Sequence, residues 1–180
     1  SQPDIYINKS RRLLIESNQN IHNQKKLDIN AESIFIVGMP RSGSSLLESI
    51  LSMNIDVNDL GEINILEESF LELKEKDQKF SLSELYWKKI NNSNNIIKIT
   101  TNKWLFNYLY AGIILTQIPN SKIIHCFRNP LDNILSIYRA HFANGNEYSS
   151  SLVDTAKIYL NQEEVMTEYK NKFRSKIYDL

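Results

Sequence analysis

The stretch SIFIVGMPRSGSSLLESIL, residues 33–51, decides the fold of this chain. The apolar run at residues 34–37 predicts a short buried strand, and residues 38–45 predict a glycine-bounded turn. The leucines and isoleucines that follow recur at the spacing of a helix. A strand, a glycine turn and a helix start direct successive backbone N–H groups toward one point, where the helix dipole adds partial positive charge. The stretch therefore predicts a cradle for a phosphate-like anion.

The glycines and the one basic residue of this turn indicate which anion it fits. Gly38 is followed, after four residues, by Gly43-Ser44-Ser45. A loop that cleaves a nucleoside triphosphate carries Lys at the position of Ser44, where it reaches the β- and γ-phosphates. In this chain the cationic side chain lies inside the loop instead, at Arg41. The loop thus fits a phosphate-like anion but is not built to cut a β–γ bond.

Composition limits the possible classes of protein. The 180 residues are enough for one domain with a sizeable core. The 21 basic and 21 acidic side chains cancel, so no general positive field favours nucleic acid or an anionic membrane, and we expect neither as a partner. No apolar run is long enough for a membrane span. The single cysteine, Cys126, excludes an internal disulfide and a cysteine-rich metal site, and its apolar neighbours indicate a buried structural thiol.

Hydrophobic periodicity predicts strands that alternate with helices. We interpret residues 1–30 as a helical lead-in and linker with a loop near 18–30, and residues 31–180 as the main domain. The alternation predicts an α/β fold in which a parallel sheet lies between helices on both faces, in three layers. The predicted strands are 34–37, 55–60, 96–100 and 122–127, and the predicted helices of the main domain are 46–51, 63–73, 82–90 with Ser81 as its N-cap, 105–118, 130–142 and 151–173.

Three polar elements follow predicted strands. They are residues 39–45, which we call the glycine loop, residues 100–103, and Arg128. Ligands of such sheets bind at the carboxyl ends of the strands. We therefore expect these three elements to form one site.

Four segments together resemble the nucleotide-dependent sulfotransferase family: IVGMPRSGSSLLESIL, Gly61-Glu62, KITTNKW and IPNSKIIHCFRNPLDNILSIY. The resemblance is to bacterial sulfotransferase domains that follow tetratricopeptide repeats, and more distantly to tyrosyl-protein sulfotransferases. It covers about residues 33–170 in matching order. It implies a P-loop-like fold, the donor 3′-phosphoadenosine 5′-phosphosulfate, no metal, and an acceptor hydroxyl on a protein tyrosine, a carbohydrate or a lipid.

The resemblance also implies a setting for the domain. It implies a bacterial, cytoplasmic protein, with helical repeats ahead of this domain in a longer parent chain. The family continues with segments that close over the adenine, so we expect this domain to be truncated at its C-terminus. An isolated chain of this length is then expected to bind donor weakly or to lack activity.

The resemblance assigns roles to particular residues. Glu62 matches a catalytic base, Lys103 matches a lysine that contacts the transferring sulfuryl group, and Arg128 with Ser136 matches the pair that holds the 3′-phosphate. The contacts implied for the 5′-phosphosulfate are Arg41, Ser42, Gly43, Ser44 and Ser45, with Arg41 also acting in catalysis. The family usually has two threonines where Ser44 and Ser45 stand, and the serines keep the hydroxyls.

These assignments also have a physical basis. Transfer of an anionic sulfuryl group, like phosphoryl transfer, mainly needs positioning and charge neutralisation. With 6 Arg against 15 Lys in the chain, each arginine stands out, and Arg41 offers a planar fork for an anion. Lys103 supplies from another segment the lysine that the loop lacks. For the base, His125 and His141 are rivals of Glu62. Trp104 fits either the acceptor site or, as the main expectation, packing in the core.

Two other functions remain open at this point. One is a P-loop kinase or hydrolase, against which the absence of Lys at position 44 argues; a magnesium requirement would distinguish it. The other is a truncated, non-catalytic nucleotide-binding module, which turnover of the donor would exclude.

Overall fold

Five parallel strands form the centre of the computed structural model, which describes residues 1–19, 30–75, 78–90, 97–140, 142 and 146–180. The strands are β1 (Glu32–Gly38), β2 (Val57–Asp59), β3 (Ile99–Asn102), β4 (Ser121–Cys126) and β5 (Ile177–Asp179), in the spatial order β2-β3-β1-β4-β5. The α-helices of the same part of the chain are α1 (Gln2–Gln19), α2 (Ser44–Leu51), α3 (Ile65–Leu73), α4 (Leu82–Ile90), α5 (Ala111–Gln117), α6 (Pro130–Arg139) and α7 (Leu152–Lys172). Two 3-10 helices cover Leu105–Tyr110 and Glu147–Ser150.

The predicted α/β architecture is confirmed. β1 lies at the middle of the sheet and pairs with β3 and β4, so that Phe35 is opposite both Asn102 and Ile123. Because β1 is covered on both faces, its side chains at 35, 36 and 37 are completely buried. All strands point the same way, so the loops after β1, β3 and β4 meet at one edge of the sheet.

The N-terminal helix α1 packs on the main core with part of the weak apolar stripe that its sequence indicates, namely Ile5, Ile7, Leu13, Leu14 and Ile15. Leu13 is buried and Leu14 packs against the core, whereas Ile5 and Ile15 are 66% and 58% exposed. The buried face also carries the small side chains of Ser10 and Ser17. A small face allows close approach to α5 in the main domain. The boundary at residue 30 stays a prediction.

Several helices and strands differ in their bounds from the predictions. The helix predicted at 105–118 is divided into a 3-10 helix and α5, and the helix predicted at 130–142 ends at Arg139. The short strand β5 is absent from the predictions. Ser81 does cap α4, since its Oγ accepts from Glu84 N at 3.2 Å while Glu84 Oε2 accepts from Ser81 N at 2.6 Å. The predicted loop at 91–95 and most of the loop at 18–30 lie outside the described residues.

No helix in the described part of the chain is both long enough and apolar enough to cross a bilayer.

Cys126 is buried at the end of β4, and burial raises the pKa of its thiol to about 11. It is therefore a packed, unreactive thiol, as its apolar neighbours predict.

Candidate active site

The glycine loop adopts backbone angles that few sequences permit. Arg41 and Gly43 have φ of +66° and +99°. Gly38, with φ +141°, leads into the loop, and a Cβ there would lie 2.3 Å from the carbonyl oxygen of Cys126. The buried Asn133 of α6 donates to the carbonyl oxygen of Pro40 at 2.9 Å. The loop is thus held in place by the sheet on one side and by α6 on the other.

The serines of the loop take three different environments. Ser42 Oγ is buried without a hydrogen-bond partner among the residues that the structure describes. Ser44 is buried at the first turn of α2, whereas Ser45 is exposed. A buried hydroxyl without a partner costs free energy unless a ligand or water satisfies it. Together with the N-terminus of α2, Ser42 fits a bound anion.

An arginine cleft of about 340 Å³ opens beside the loop. Three of the six arginines of the chain line it: Arg41 from the loop, Arg128 after β4, and Arg139 near the end of α6. Arg41 Nε donates to Ser136 Oγ at 3.3 Å. Tyr159 of α7 donates to the carbonyl oxygen of Arg128 at 3.2 Å and holds the end of that strand. The cleft has the charge and the planar donors that bind phosphate.

Lys103 is the most buried charged side chain of the site, with only 4% exposure. Its Nζ forms an ion pair with Glu62 Oε1, and lies 3.4 Å from Ser45 Oγ and 3.5 Å from Glu48 Oε2. One ammonium group therefore links the glycine loop, helix α2 and the segment after β2. Such a cation beside an anion cradle can neutralise charge that develops there.

Hydrogen bonds to Asn102 and Gly61 position this pair. Lys103 N donates to the carbonyl oxygen of Gly61 at 3.0 Å, and Gly61 has φ +66°. Asn102, completely buried, donates to the carbonyl oxygen of Ile63 at 3.1 Å and accepts from Trp104 N at 2.9 Å. The segments that carry Glu62 and Lys103 are thereby held against each other by backbone contacts.

Glu48 is an additional carboxylate of the site. Its side chain is 15% exposed, and its Oε1 has no hydrogen-bond partner within the described ranges. Burial raises the pKa of Glu48, and the neighbouring carboxylate of Asp59 raises it further, whereas Lys103 opposes the shift. Lys103 therefore opposes the effect of burial on the Glu48 carboxylate.

A second cavity, of about 510 Å³, shares no lining residue with the arginine cleft. Glu62, Lys103 and Pro40 line one part of it. Much of the remaining wall is aromatic, and it includes Trp104 and Phe106. We call it the aromatic cavity. Trp104, for which packing was the main expectation, is part of this wall.

The structure brings the predicted site residues into two neighbouring groups. Arg41, Arg128 and Ser136 line the arginine cleft, and Glu62 and Lys103 line the aromatic cavity, with the glycine loop between them. Sequence reasoning missed two side chains. Glu48 lies three residues after Ser45 on α2, and Arg139 lies three residues after Ser136 on α6; a search for partners on the same helix face would have found both.

Of the two histidine rivals, His125 lines neither the arginine cleft nor the aromatic cavity. His125 is completely buried and lies 2.6 Å from Gln162 Nε2, and burial lowers its pKa to about 4. It contacts Asp179 and Glu163 and therefore connects β4 to β5 and α7. His141 lies outside the described residues. No group of three or more potential metal ligands occurs among the residues that the structure describes.

Comparison with known proteins identifies the class that this fold and site define. Residues 31–178 match the model of the family described as "Sulfotransferase domain", which is most of the chain, so the chain belongs to the sulfotransferase family. It is therefore a transferase domain.

A curated relative extends the comparison. An uncharacterized protein of Aquifex aeolicus (strain VF5) is 30% identical over an alignment of 171 residues, and the match covers 82% of this chain and 22% of that protein. The chain thus spans about a fifth of the length of this relative.

Proposed function

We propose that this chain is the catalytic domain of a sulfotransferase that transfers a sulfuryl group from 3′-phosphoadenosine 5′-phosphosulfate to an acceptor hydroxyl. The observation that carries the proposal is the position of Lys103, which contacts Ser45 at the end of the glycine loop and pairs with Glu62 in the aromatic cavity. A donor anion in the loop and an acceptor in the cavity would meet at one pair of charged side chains.

The residues at the loop fit such a donor. The backbone amides of residues 42–45, the hydroxyl of Ser42 that has no partner in the described part of the chain, and Arg41 suit the 5′-phosphosulfate. The guanidinium groups of Arg128 and Arg139, with Ser136, suit the 3′-phosphate. A kinase donor lacks this second phosphate, so a cleft with three arginines favours the adenosine bisphosphate framework.

The donor supplies a sulfuryl group, whose bond to the bridging oxygen breaks as a bond to the acceptor oxygen forms, and 3′,5′-adenosine bisphosphate leaves. Lys103 neutralises negative charge on the transferring group, and Glu62 takes the proton of the acceptor hydroxyl. Glu62 suits this role better than Glu48, because Glu62 is 65% exposed and lines the cavity, whereas Glu48 is 15% exposed beneath Lys103.

Calorimetric titration tests the donor class. The expected result is binding of 3′,5′-adenosine bisphosphate at least about tenfold tighter than binding of ATP with magnesium, a difference of about 1.4 kcal/mol. Equal affinities would favour a kinase or hydrolase. Release of adenosine bisphosphate from the donor by the full-length protein, without added metal, would exclude a non-catalytic module.

The resemblance and the length of the relative support a wider setting for the domain. The length of the relative favours a longer parent chain, and the resemblance favours a bacterial, cytoplasmic protein with helical repeats ahead of this domain. Cell fractionation with an antibody against the domain, together with mass measurement of the captured chain, tests both points.

A further inference from the structure

Helix α1 forms one wall of the aromatic cavity, although it lies outside the region that matches the family. The family match begins at residue 31, and α1 ends at Gln19. Tyr6 and Lys9, three residues apart on one face of α1, both line the cavity. The cavity next to Glu62 and Lys103 is thus completed by a segment that the family domain does not include.

The wall that α1 contributes is an aromatic surface. The ring of Tyr6 stacks on that of Phe106, with centroids 5.1 Å apart and planes at 18°. Trp104 lies next to Phe106, with centroids 5.9 Å apart. Leu105 and Leu109 add aliphatic surface. A planar aromatic ring gains both apolar burial and ring contacts against such a wall.

The partly buried carboxylate that faces α1 in this cavity, Glu67, is fully paired. Glu67 Oε1 accepts hydrogen bonds from Lys9 and from the Tyr110 hydroxyl, and its Oε2 accepts from Asn64 at 3.1 Å. Although burial alone would raise the pKa of Glu67, these hydrogen bonds lower it, so Glu67 stays ionised and paired. Asn146 Oδ1 lines the cavity without a hydrogen-bond partner among the described residues, so it offers one acceptor, whereas a sugar brings several hydroxyls that would lose water contacts.

We propose that α1 completes the acceptor site, that Tyr6 is a specificity-determining residue, and that the acceptor is a phenol. The inference rests on the proposed sulfuryl transfer. The phenol ring lies against Tyr6 and Phe106, and its hydroxyl meets Glu62 and Lys103. The phenol oxygen forms the new bond to sulfur, its proton passes to the Glu62 carboxylate, and the bond from sulfur to the bridging oxygen of the donor breaks. A phenol ionises near pH 10, far below an aliphatic alcohol, which suits a carboxylate base.

The test measures acceptor binding separately from turnover. With adenosine bisphosphate at saturation, 2-naphthol, a tyrosine-containing hexapeptide, octanol and N-acetylglucosamine are titrated into the protein by calorimetry. Binding of 2-naphthol or of the peptide supports the proposal. Tighter binding of 2-naphthol indicates a free phenol as the acceptor, and tighter binding of the peptide indicates a peptide-borne phenol. Binding of octanol or N-acetylglucosamine at least as tight as that of both phenols overturns it. Failure of adenosine bisphosphate itself to bind would contradict the donor proposal instead.

Substitutions on α1 then test the role of this helix. Tyr6→Ala is expected to weaken binding of the favoured phenol about 5- to 20-fold, from lost ring contact and apolar burial, with the affinity for adenosine bisphosphate unchanged. Tyr6→Phe should retain phenol binding, and Ile5→Ala, at a position 66% exposed on the same helix, should leave it unchanged. Unchanged phenol affinity in Tyr6→Ala, or in Tyr6→Leu should the alanine variant unfold, would overturn the assignment.

Discussion

Replacement of Lys103 by methionine tests the charge network of the site. Methionine keeps an unbranched side chain in the space of the lysine stem but removes the only cation that the structure gives Glu48 within the described residues. Glu48 then remains as a carboxylate next to Asp59, with an Oε1 that has no partner there. The loss of folding free energy has an upper limit, because Glu48 can take up a proton instead of remaining charged.

That limit can be worked out from the pKa. The usual pKa of a glutamate is about 4.3, so protonation at pH 7 costs at most ~3.7 kcal/mol at about 1.4 kcal/mol per pKa unit. The pKa of Glu48 is already raised, and its carboxylate keeps 15% exposure, so we expect about 1–2 kcal/mol of destabilisation at pH 7. Since the folded state of the variant favours protonated Glu48, the loss shrinks as the pH falls toward about 4.3, the ordinary glutamate value.

Urea unfolding of the parent, Lys103→Met and Lys103→Met/Glu48→Gln at pH 5 and pH 7.5 measures this effect. The double variant should recover most of the loss at pH 7.5. Lys98→Met is the matched control, because Lys98 forms an exposed pair with Asp56 and its removal should cost less than about 0.5 kcal/mol at either pH. A loss of equal size at both pH values, not recovered by Glu48→Gln, would refute the reasoning.

Three further predictions concern binding and stability. Arg128→Ala should weaken binding of adenosine bisphosphate by about 1.5–3 kcal/mol and hardly affect an analogue without the 3′-phosphate; equal losses by calorimetry would mean that Arg128 supports the fold. Gly112→Ala should cost about 1–3 kcal/mol in urea unfolding, because its Cβ would lie 2.6 Å from Tyr169 and 2.7 Å from Ser17; an unchanged midpoint would show that α1 and α5 are not closely packed. The pKa of His125 is lowered from 6.5 to about 4, so neutral His125 stabilises the folded state above pH 6.5. We expect about 2–3 kcal/mol of folding free energy to be lost as the pH falls to 4. An equally steep decline of stability in His125→Gln would assign that loss to other groups.

The central part of the fold was predictable because several independent signals agree there. β1, the glycine loop and α2 combine an apolar run, glycines at two special backbone positions and a helical stripe. By contrast, β5 has three residues, of which only Ile177 is buried, so no periodicity exists to detect. The buried face of α1 was predicted only in part, since Ser17 is buried for its small size against Gly112 and not for its hydrophobicity.

The site was predictable to the level of its elements but not of its contacts. The carboxyl ends of parallel strands meet at one edge, so grouping the glycine loop with Lys103 and Arg128 follows from topology alone. The ion pair of Lys103 with Glu48 joins segments far apart in sequence, and so does the hydrogen bond from Asn133 to the carbonyl oxygen of Pro40. Side-chain hydrogen bonds of this kind carry no periodic signal, so they emerge only once the chain is folded.

The central claim is that this domain transfers a sulfuryl group with Glu62 as the base. The most direct measurement is the rate of transfer from 3′-phosphoadenosine 5′-phosphosulfate to a phenol by the full-length protein and its Glu62→Gln variant, with the affinity for adenosine bisphosphate measured in parallel. Glutamine keeps the shape of the side chain and removes its basic oxygen. We expect unchanged affinity and a rate about 10²–10⁴-fold lower, the usual range for a general base. Transfer by the variant at the parent rate would contradict the account, and loss of transfer in His141→Ala alone would assign the base to His141.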